Sequence, residues 1–103
     1  MFRYSTIFYS VIPYLRKHAP MRVLAIIPAY NEEQCLQSTV ETLVAECPEL
    51  DYLVVNDGST DKTWDIVLQH KLNGIDLPIN TGLTSAFRAG MKYACRRKYD
   101  AAI

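Results

Sequence analysis

The sequence predicts an α/β fold in which a mostly parallel sheet is flanked by helices. Two predominantly apolar runs, at residues 22–29 and 51–56, are typical of strands that are buried on both faces. After each run, apolar residues recur at three- and four-residue steps, as in amphipathic helices. Repeated alternation of strand and helix predicts right-handed βαβ units and therefore a parallel sheet.

The first strand and helix are predicted from residues 22–47. The run RVLAIIPA is expected to end near Pro28, because a proline nitrogen cannot donate a hydrogen bond to a neighbouring strand. Asn31 is a favourable N-cap, so we expect a helix from this residue to Pro48, which stops it. The apolar face predicted for this helix consists of Leu36, Val40, Leu43, Val44 and Cys47.

The second strand, DYLVVN, is followed by a turn of sequence DGSTD at residues 57–61. We expect Ser59 or Thr60 to cap the next helix, because short hydroxyl side chains are good N-caps. The apolar face predicted for this second helix consists of Trp64, Val67, Leu68 and Leu72.

The third strand is predicted weakly, at residues 75–79. Pro78 lies inside this segment, so the strand should be short or lie at an edge of the sheet. Thr81 or Gly82 is expected to begin the third helix. The apolar face predicted for it consists of Leu83, Phe87, Met91, Ala94 and Cys95.

Gly90 and the segment DAAI at residues 100–103 complete the pattern. Glycine inside a helix costs about 1 kcal/mol relative to alanine, so we expect Gly90 to permit a close approach to the sheet. The segment DAAI predicts the start of a fourth strand, in which the chain stops.

The composition is that of a globular chain and argues against a nucleic-acid partner. Hydrophobic residues make up 50 %, charged residues 21 %, and the formal net charge is zero. Binding a phosphate backbone needs a clustered basic surplus, and we interpret the short basic run at residues 96–98 as a solvated helix end. Cys35, Cys47 and Cys95 match no zinc or redox spacing, and we expect all three to be buried, reduced thiols.

Residues 1–20 are predicted to be an N-terminal extension of uncertain role. The apolar and aromatic stretch 4–15 is interrupted by Pro13, is too short to span a membrane and shows no small-residue cleavage site. It is an interfacial amphipathic segment, a helix packed on the domain, or an extension upstream of the domain proper. The third interpretation is favoured because Met21 opens the first clear strand, so the domain is predicted to occupy residues 21–103.

Two polar clusters follow the first two predicted strands, at residues 28–33 and 56–61. Ligands of open parallel sheets bind outside the carboxyl ends of the strands. If the two strands are neighbours, both clusters line one crevice. Neither the dinucleotide fingerprint nor the P-loop pattern is present, which disfavours a Rossmann dehydrogenase and a P-loop enzyme.

The residue types in these clusters suit a nucleotide. Tyr30 can stack on a planar base, and backbone groups of Pro28 and Ala29 can reach a base edge. Asp57 can accept a hydrogen bond from an imino N–H, and Glu32 can bind ribose hydroxyls. Ordinary caps, first-turn acids and turn residues have the same composition, so this structural alternative stays open.

Three motifs resemble those of family 2 glycosyltransferases, which have the GT-A fold. IIPAYNEE at residues 26–33 resembles the opening motif of that family, and VVNDGSTDKT at 54–63 resembles the second. LPINTGLTSAFRAGMKYA at 77–94 resembles the third, and the three together account for residues 21–103. The resemblance is greatest to bacterial polysaccharide transferases and dolichol-phosphate mannosyltransferase-like enzymes, and it implies a partial GT-A domain.

The resemblance implies a nucleotide-binding site without a catalytic residue. In the family, the base is held by the first motif and by the aspartate after the second strand, which correspond to Pro28, Ala29, Tyr30 and Asp57. The acidic residue that reaches the ribose corresponds to Glu32. The Asn-x-Gly beside the diphosphate corresponds to Asn80 and Gly82, and Asn80 is equally interpretable as a helix-entry residue.

The chain departs from the family pattern in two places. Many members have a basic residue and a glycine where Leu83 and Thr84 stand, which puts neutralisation of the diphosphate partly in doubt even with Arg88 one turn later. The family also follows its fourth strand with an Asp-x-Asp motif that helps to hold a divalent cation, Mg or Mn. The chain ends at Ile103, before that motif and the later general base, and Asp100 lies at the wrong end of the strand to replace them.

The resemblance therefore implies inverting transfer of a sugar from a nucleotide-diphosphate donor, with UDP-sugar favoured, to a hydroxyl of a sugar or lipid-linked acceptor. We expect these 103 residues alone to bind the nucleotide weakly and to transfer no sugar. The alternative is a non-catalytic nucleotide-binding or assembly module from a truncated or split gene. The expected location is the cytoplasm or the inner face of the membrane, with any membrane association made through downstream parts.

Overall fold

The computed structural model describes residues 21–103, together with Pro13 and Lys17, and shows a four-stranded parallel sheet. The strands are β1 (Val23–Ala29), β2 (Leu50–Asp57), β3 (Gly74–Leu77) and β4 (Ala101–Ala102). The helices are α1 (Leu36–Glu46), α2 (Thr63–Gln69) and α3 (Leu83–Arg96), one between each pair of consecutive strands. The predicted α/β fold is confirmed, whereas the predicted extension at residues 1–20 lies outside the described residues apart from those two.

The strand order β3-β2-β1-β4 places β1 and β2 in the centre of the sheet. β1 is parallel to both neighbours, with Val23 paired to Leu50 on one side and to Ala101 on the other. Central strands are covered on both faces, which explains why these two sequences are almost continuously apolar. The predicted edge position of β3 is confirmed, and β3 ends at Leu77, before Pro78.

Side chains of alternate residues in the central strands form two cores. On one face, Val23, Ala25 and Ile27 of β1 pack with the apolar side chains of α1 and α2. On the other face, Leu24 and Ile26 pack with α3. The sheet is therefore covered by α1 and α2 on one face and by α3 on the other.

The predicted helix starts are wrong for α1 and α2. α1 begins at Leu36 and not at Asn31, which has a left-handed backbone with φ of 52°. α2 begins at Thr63, and no side-chain hydrogen bond from Ser59 or Thr60 caps it. In both cases the polar side chain is bonded to another loop instead of to its own helix.

Two apolar faces are narrower than predicted. Val44 of α1 is 51 % exposed and Leu68 of α2 is 62 % exposed. Among the cysteines, Cys47 is buried, Cys35 is half-buried and Cys95 is exposed, and none of the three forms a disulfide. The expectation of buried thiols is confirmed for Cys47 alone.

The predicted apolar face of α3 is wrong for four of its five residues, because the helix turns its smallest residues to the sheet. Ala86, Gly90 and Ala94 are buried, whereas the larger apolar side chains Leu83, Phe87 and Met91, and also Cys95, are exposed. A Cβ at Gly90 would lie only 2.5 Å from Cγ2 of Ile26, so the predicted close approach is confirmed. The distance between helix and sheet is set by this contact.

Arg22 and Tyr99 fasten the C-terminal end of α3 to the sheet. The Arg22 guanidinium donates to the carbonyl oxygen of Arg97 at 3.0 Å and lies 4.4 Å from the centre of the Tyr99 ring. The Tyr99 hydroxyl donates to Asp51 at 2.7 Å, and burial together with this hydrogen bond raises the pKa of Tyr99. The basic run at residues 96–98 is exposed, as predicted. In the described part of the chain, no helix combines the length and apolar character needed to cross a bilayer.

Gly90→Ala is expected to reduce the free energy of unfolding by about 1–3 kcal/mol, because overpacking against Ile26 outweighs the better helix propensity of alanine. Urea denaturation measures this loss. Thr84→Ala, at an exposed position of the same helix, is the matched control and should change stability by less than about 0.5 kcal/mol. In the double variant Gly90→Ala with Ile26→Ala, the loss of stability should be smaller than the sum of the losses in the two single variants. A Gly90→Ala protein as stable as the parent would contradict the close contact.

Candidate functional site

Three loops meet at the carboxyl edge of the sheet, after β1, β2 and β3. Loop 1 comprises residues 30–35, loop 2 residues 58–62 and loop 3 residues 78–82. Because β1 and β2 are neighbours, the two polar clusters predicted from the sequence lie side by side.

Asn31 joins loop 1 to loop 2. Its backbone N–H donates to Oγ of Ser59 at 3.0 Å. Its side-chain oxygen accepts from the backbone N–H groups of Thr60 at 2.8 Å and Asp61 at 3.3 Å. Asparagine tolerates the left-handed conformation better than most residues, which allows both contacts at once. The side chain therefore holds two loops together where a helix cap was predicted.

Asp61 makes a second connection between the same loops. One carboxylate oxygen accepts from the backbone N–H of Thr63 at 2.9 Å, and the other accepts from that of Glu33 at 3.3 Å. Desolvation by burial would raise the pKa of Asp61, but hydrogen bonds from the Thr63 hydroxyl and from these N–H groups outweigh it and lower the pKa. The Thr63 hydroxyl oxygen in turn accepts from the N–H of Glu32 at 2.8 Å.

Asp57, at the end of β2, holds loop 3. Asp57 is only 4 % exposed, and its two carboxylate oxygens accept from the backbone N–H groups of Thr81 and Gly82, each at 3.0 Å. Gly82 immediately precedes α3, so the carboxylate lies at the positive end of that helix dipole. Asp57 thus builds one wall of the site.

Gly58 permits loop 3 to pass directly over the end of β2. Its φ is +64°, and a Cβ on it would lie 2.2 Å from the backbone nitrogen of Asn80. No side chain fits this space, because the clashing atom belongs to the backbone and cannot turn away. Because Gly58 has no side chain, the backbone of Asn80 can lie directly against it.

The end of β1 with loop 1, the end of β2, and loop 3 with the first residue of α3 surround a crevice of about 280 Å³. All seven residues that were predicted to bind a nucleotide line it: Pro28, Ala29, Tyr30, Glu32, Asp57, Asn80 and Gly82. Leu83 is the eighth lining residue, which the sequence analysis treated only as a departure from the family pattern and as part of a helix face. Its position directly after the Asn-x-Gly motif was the available signal.

The lining residues offer groups of different chemistry. Tyr30 is 46 % exposed, which leaves its ring available for stacking. Glu32 is half-buried, and its backbone N–H donates to the Thr63 hydroxyl. None of the described residues that line the crevice is basic. The crevice can therefore accept a planar ring and hydroxyl groups. The negative charge of its Asp57 carboxylate is partly neutralised by the backbone N–H groups that donate to it.

The described residues do not fit the divalent cation that the resemblance implies. Within residues 21–103, no group of three His, Cys, Asp or Glu side chains is close enough together to hold a metal ion. The carboxylate of Asp57 is already shared by two backbone N–H groups, and that of Asp61 by a hydroxyl and two N–H groups.

The family model described as glycosyl transferase family 2 matches residues 24–97. Among curated proteins, the chain is 38 % identical over 85 residues to an undecaprenyl-phosphate mannosyltransferase from Micrococcus luteus, covering 78 % of this chain and 35 % of that protein. It is 34 % identical over 74 residues to a poly-beta-1,6-N-acetyl-D-glucosamine synthase from Staphylococcus epidermidis, covering 67 % of this chain and 18 % of that protein. The chain thus spans about a fifth to a third of the length of these relatives.

The fold is also similar to that of a solved mannosyltransferase, PcManGT from Pyrobaculum calidifontis, which was determined in complex with GDP-Man and Mn²⁺. The TM-score is 0.63 at 19 % identity, and the match covers 88 % of this chain and 32 % of that one. This similarity, together with the parallel sheet, confirms the predicted partial GT-A domain.

Gly58→Ala is expected to lower the free energy of unfolding by about 1–3 kcal/mol, because a new Cβ meets the Asn80 backbone in a left-handed conformation. Gly82→Ala lacks this contact, since its Cβ would meet no atom within 4 Å, but its backbone at φ +94° and ψ 166° is accessible almost only to glycine. The Gly82 variant is therefore expected to lose stability through conformational strain alone. Chemical denaturation measures both losses, and a Gly58 variant as stable as the parent would contradict the close approach of loop 3.

The stabilisation contributed by Asp61 should disappear in acid. Because the folded-state pKa is lowered, the ionised carboxylate stabilises the fold above its ordinary pKa of 3.8, and this contribution is lost as the pH falls through the folded-state value. The difference in unfolding free energy between the parent and Asp61→Ala should be constant near neutral pH and shrink below about pH 4. Asp65→Ala, at an exposed carboxylate of α2, serves as control. A difference that persists to about pH 2.5 would contradict the role of ionised Asp61.

Proposed function

The chain belongs to glycosyl transferase family 2, and from this we propose that residues 21–103 bind the nucleotide part of a nucleotide-diphosphate sugar donor. One observation carries the proposal: all seven residues predicted from three separate motifs converge on one crevice at the carboxyl edge of the sheet. That edge is where open parallel sheets bind their ligands.

Each proposed role follows from position in the crevice. Tyr30 stacks on the base, and the strand-end backbone of Pro28 and Ala29 contacts the base edge. The carboxylate of Glu32 accepts hydrogen bonds from ribose hydroxyls. Asn80 and Gly82 lie beside the diphosphate.

Asp57 has two roles in this proposal. Its carboxylate accepts one hydrogen bond from the imino N–H of the base while it holds Thr81 and Gly82 of loop 3. A carboxylate has about four acceptor positions, so the two roles are compatible. Removing this side chain would therefore disturb both the loop and the ligand.

We propose a UDP-sugar as the donor. The crevice of about 280 Å³ suits the smaller, single-ring base, and uracil carries the imino N–H that Asp57 accepts. The solved mannosyltransferase of similar fold holds GDP-Man, so GDP is the informative competitor.

For the whole protein we propose inverting transfer of the sugar to a hydroxyl of a sugar or lipid-linked acceptor, on the cytoplasmic side or at the inner face of a membrane. A bound divalent cation, Mg or Mn, would neutralise the leaving diphosphate. Because residues 21–103 offer neither its ligands nor an assigned general base, we propose that these 103 residues alone bind the nucleotide without transferring sugar.

Calorimetric titration with UDP and with GDP tests the nucleotide site. We expect saturable binding of UDP that weakens about tenfold in Tyr30→Ala through lost stacking, and about tenfold in Glu32→Gln through lost charged hydrogen bonds. Glu41→Gln, at an exposed position of α1, is the matched control and should bind like the parent. These variants are preferable to Asp57→Ala, which would also release loop 3.

Three outcomes would count against parts of the proposal. Equal binding by Tyr30→Ala, Glu32→Gln and the control would remove the crevice as the nucleotide site. Tighter binding of GDP than of UDP would overturn the base preference and leave the site in place. Transfer of labelled sugar by the 103 residues alone would contradict their inactivity.

A further inference from the structure

Four polar groups form a continuous chain of hydrogen bonds beside the nucleotide crevice. The amide nitrogen of Asn56 donates to the Asp76 carboxylate at 2.7 Å, and the Ser59 hydroxyl donates to the amide oxygen of Asn56. The oxygen of Ser59 in turn accepts from the backbone N–H of Asn31 at 3.0 Å. This relay, from Asp76 to Asn31, joins β3, the end of β2, loop 2 and loop 1. None of its four residues lines the crevice.

The pleat of β2 lets two consecutive residues support different loops. Asn56 is paired with Asp76 of β3 in the parallel ladder, so the two side chains lie on the same face of the sheet. The next residue, Asp57, points to the opposite face, where it holds loop 3. The end of β2 therefore supports loops 1 and 2 from one face and loop 3 from the other.

The Asp76 carboxylate sets the direction of every donor in the relay. An ionised carboxylate only accepts hydrogen bonds, so the amide nitrogen of Asn56 faces it and the amide oxygen faces Ser59. That oxygen takes the proton of the Ser59 hydroxyl, which leaves the lone pairs of Ser59 for the N–H of Asn31. Asn56 is only 2 % exposed, so its amide depends on these partners and not on water.

The relay ends on the peptide bond between Tyr30 and Asn31. Because a peptide bond is planar, a hydrogen bond to the Asn31 N–H fixes the orientation of the whole plane, including the carbonyl group of Tyr30. Asn31 has a φ of 52° at this point, a conformation that persists only when its surroundings support it. Tyr30, which lines the crevice, is carried by this peptide.

We propose that Asp76 is a positioning residue for nucleotide binding, which acts through Asn56 and Ser59 to hold the backbone that carries Tyr30. This inference rests on the proposed nucleotide site and adds to it a residue of the edge strand that does not touch the ligand. Holding Tyr30 before the ligand arrives removes part of the entropic cost of ordering loop 1 on binding. Loss of the relay therefore weakens binding without removing a contact to the ligand.

Exchanging the two side chains of the strand pair tests the relay. Asn56→Asp alone places two carboxylates against each other and removes the donor between them, so the affinity for UDP in calorimetry should fall about tenfold. In the double variant Asn56→Asp with Asp76→Asn, the amide at position 76 donates to the carboxylate at position 56, which still accepts from Ser59. The affinity should return to within about twofold of the parent, because every donor and acceptor is again paired.

A second variant keeps the test informative if Asn56→Asp does not fold. Asp76→Ala changes an exposed residue, releases the Asn56 amide and should weaken UDP binding about threefold. Asp65→Ala and Asn73→Asp, at exposed positions outside the relay, are matched controls for the loss and the gain of a carboxylate and should bind like the parent. Circular dichroism melts establish that each variant is folded.

Hydrogen exchange of the Asn31 amide, followed by NMR, reports on the end of the relay without any ligand. Exchange should accelerate at least about threefold in Ser59→Ala, Asn56→Asp and Asp76→Ala, because the N–H loses its acceptor or the acceptor loses its orientation. The exchanged double variant should return to the parent rate.

Three results would overturn the positioning role while the parent still binds UDP. One is an affinity of Asp76→Ala equal to that of the controls, and another is an exchanged double variant that binds no better than Asn56→Asp. The third is faster exchange at Asn31 with unchanged UDP affinity, which would limit the relay to the stability of loop 1. Absence of UDP binding by the parent would instead overturn the proposed nucleotide site and, with it, the positioning role.

Discussion

The site depends on how one buried carboxylate, that of Asp57, is compensated. Asp57 is only 4 % exposed, and a buried carboxylate is tolerated only with several donors around it. Here the donors are the backbone N–H groups of Thr81 and Gly82 and the Thr81 hydroxyl. Satisfying the charge therefore fixes loop 3 against the end of β2 and sets where α3 begins. The N-terminal dipole of α3 adds to the same compensation.

The loops beside the crevice are held by polar side chains, of which the sequence predicted Asn31 and Ser59 as helix caps. Asn31, Ser59 and Thr63 bond loops 1 and 2 to each other. Ser59 also donates to Asn56, whose amide donates to Asp76 of β3 at 2.7 Å, so the network crosses from β2 to its edge neighbour. Preorganised loops leave Tyr30 and Glu32 free for a ligand without the entropic cost of ordering the backbone on binding. The motifs thus combine groups that build the crevice with groups that face into it.

α3 connects this site to the rest of the surface. Its small-residue face lets the backbone approach Ile26, its N-terminus borders the crevice, and its outer face presents apolar and basic rows. Arg22 and Tyr99 fix its far end, so the helix is held at both ends and against the sheet. One helix therefore contributes both to the core, through its small-residue side, and to the wall of the crevice, through its N-terminus.

The sequence by itself determined the order of strands and helices, the parallel sheet, the family and the seven residues that meet at the crevice. Buried strands and helical periodicity are local properties, and in a parallel sheet the carboxyl ends of neighbouring strands must share an edge. Only the tertiary structure decided that Asn31 bonds to Thr60 instead of capping α1, and that α3 buries Gly90 instead of Phe87. Both outcomes depend on distances between segments that are far apart in the chain, across loops 1 and 2 and between α3 and Ile26. A local pattern contains no information about those distances, whereas the packed sheet sets them.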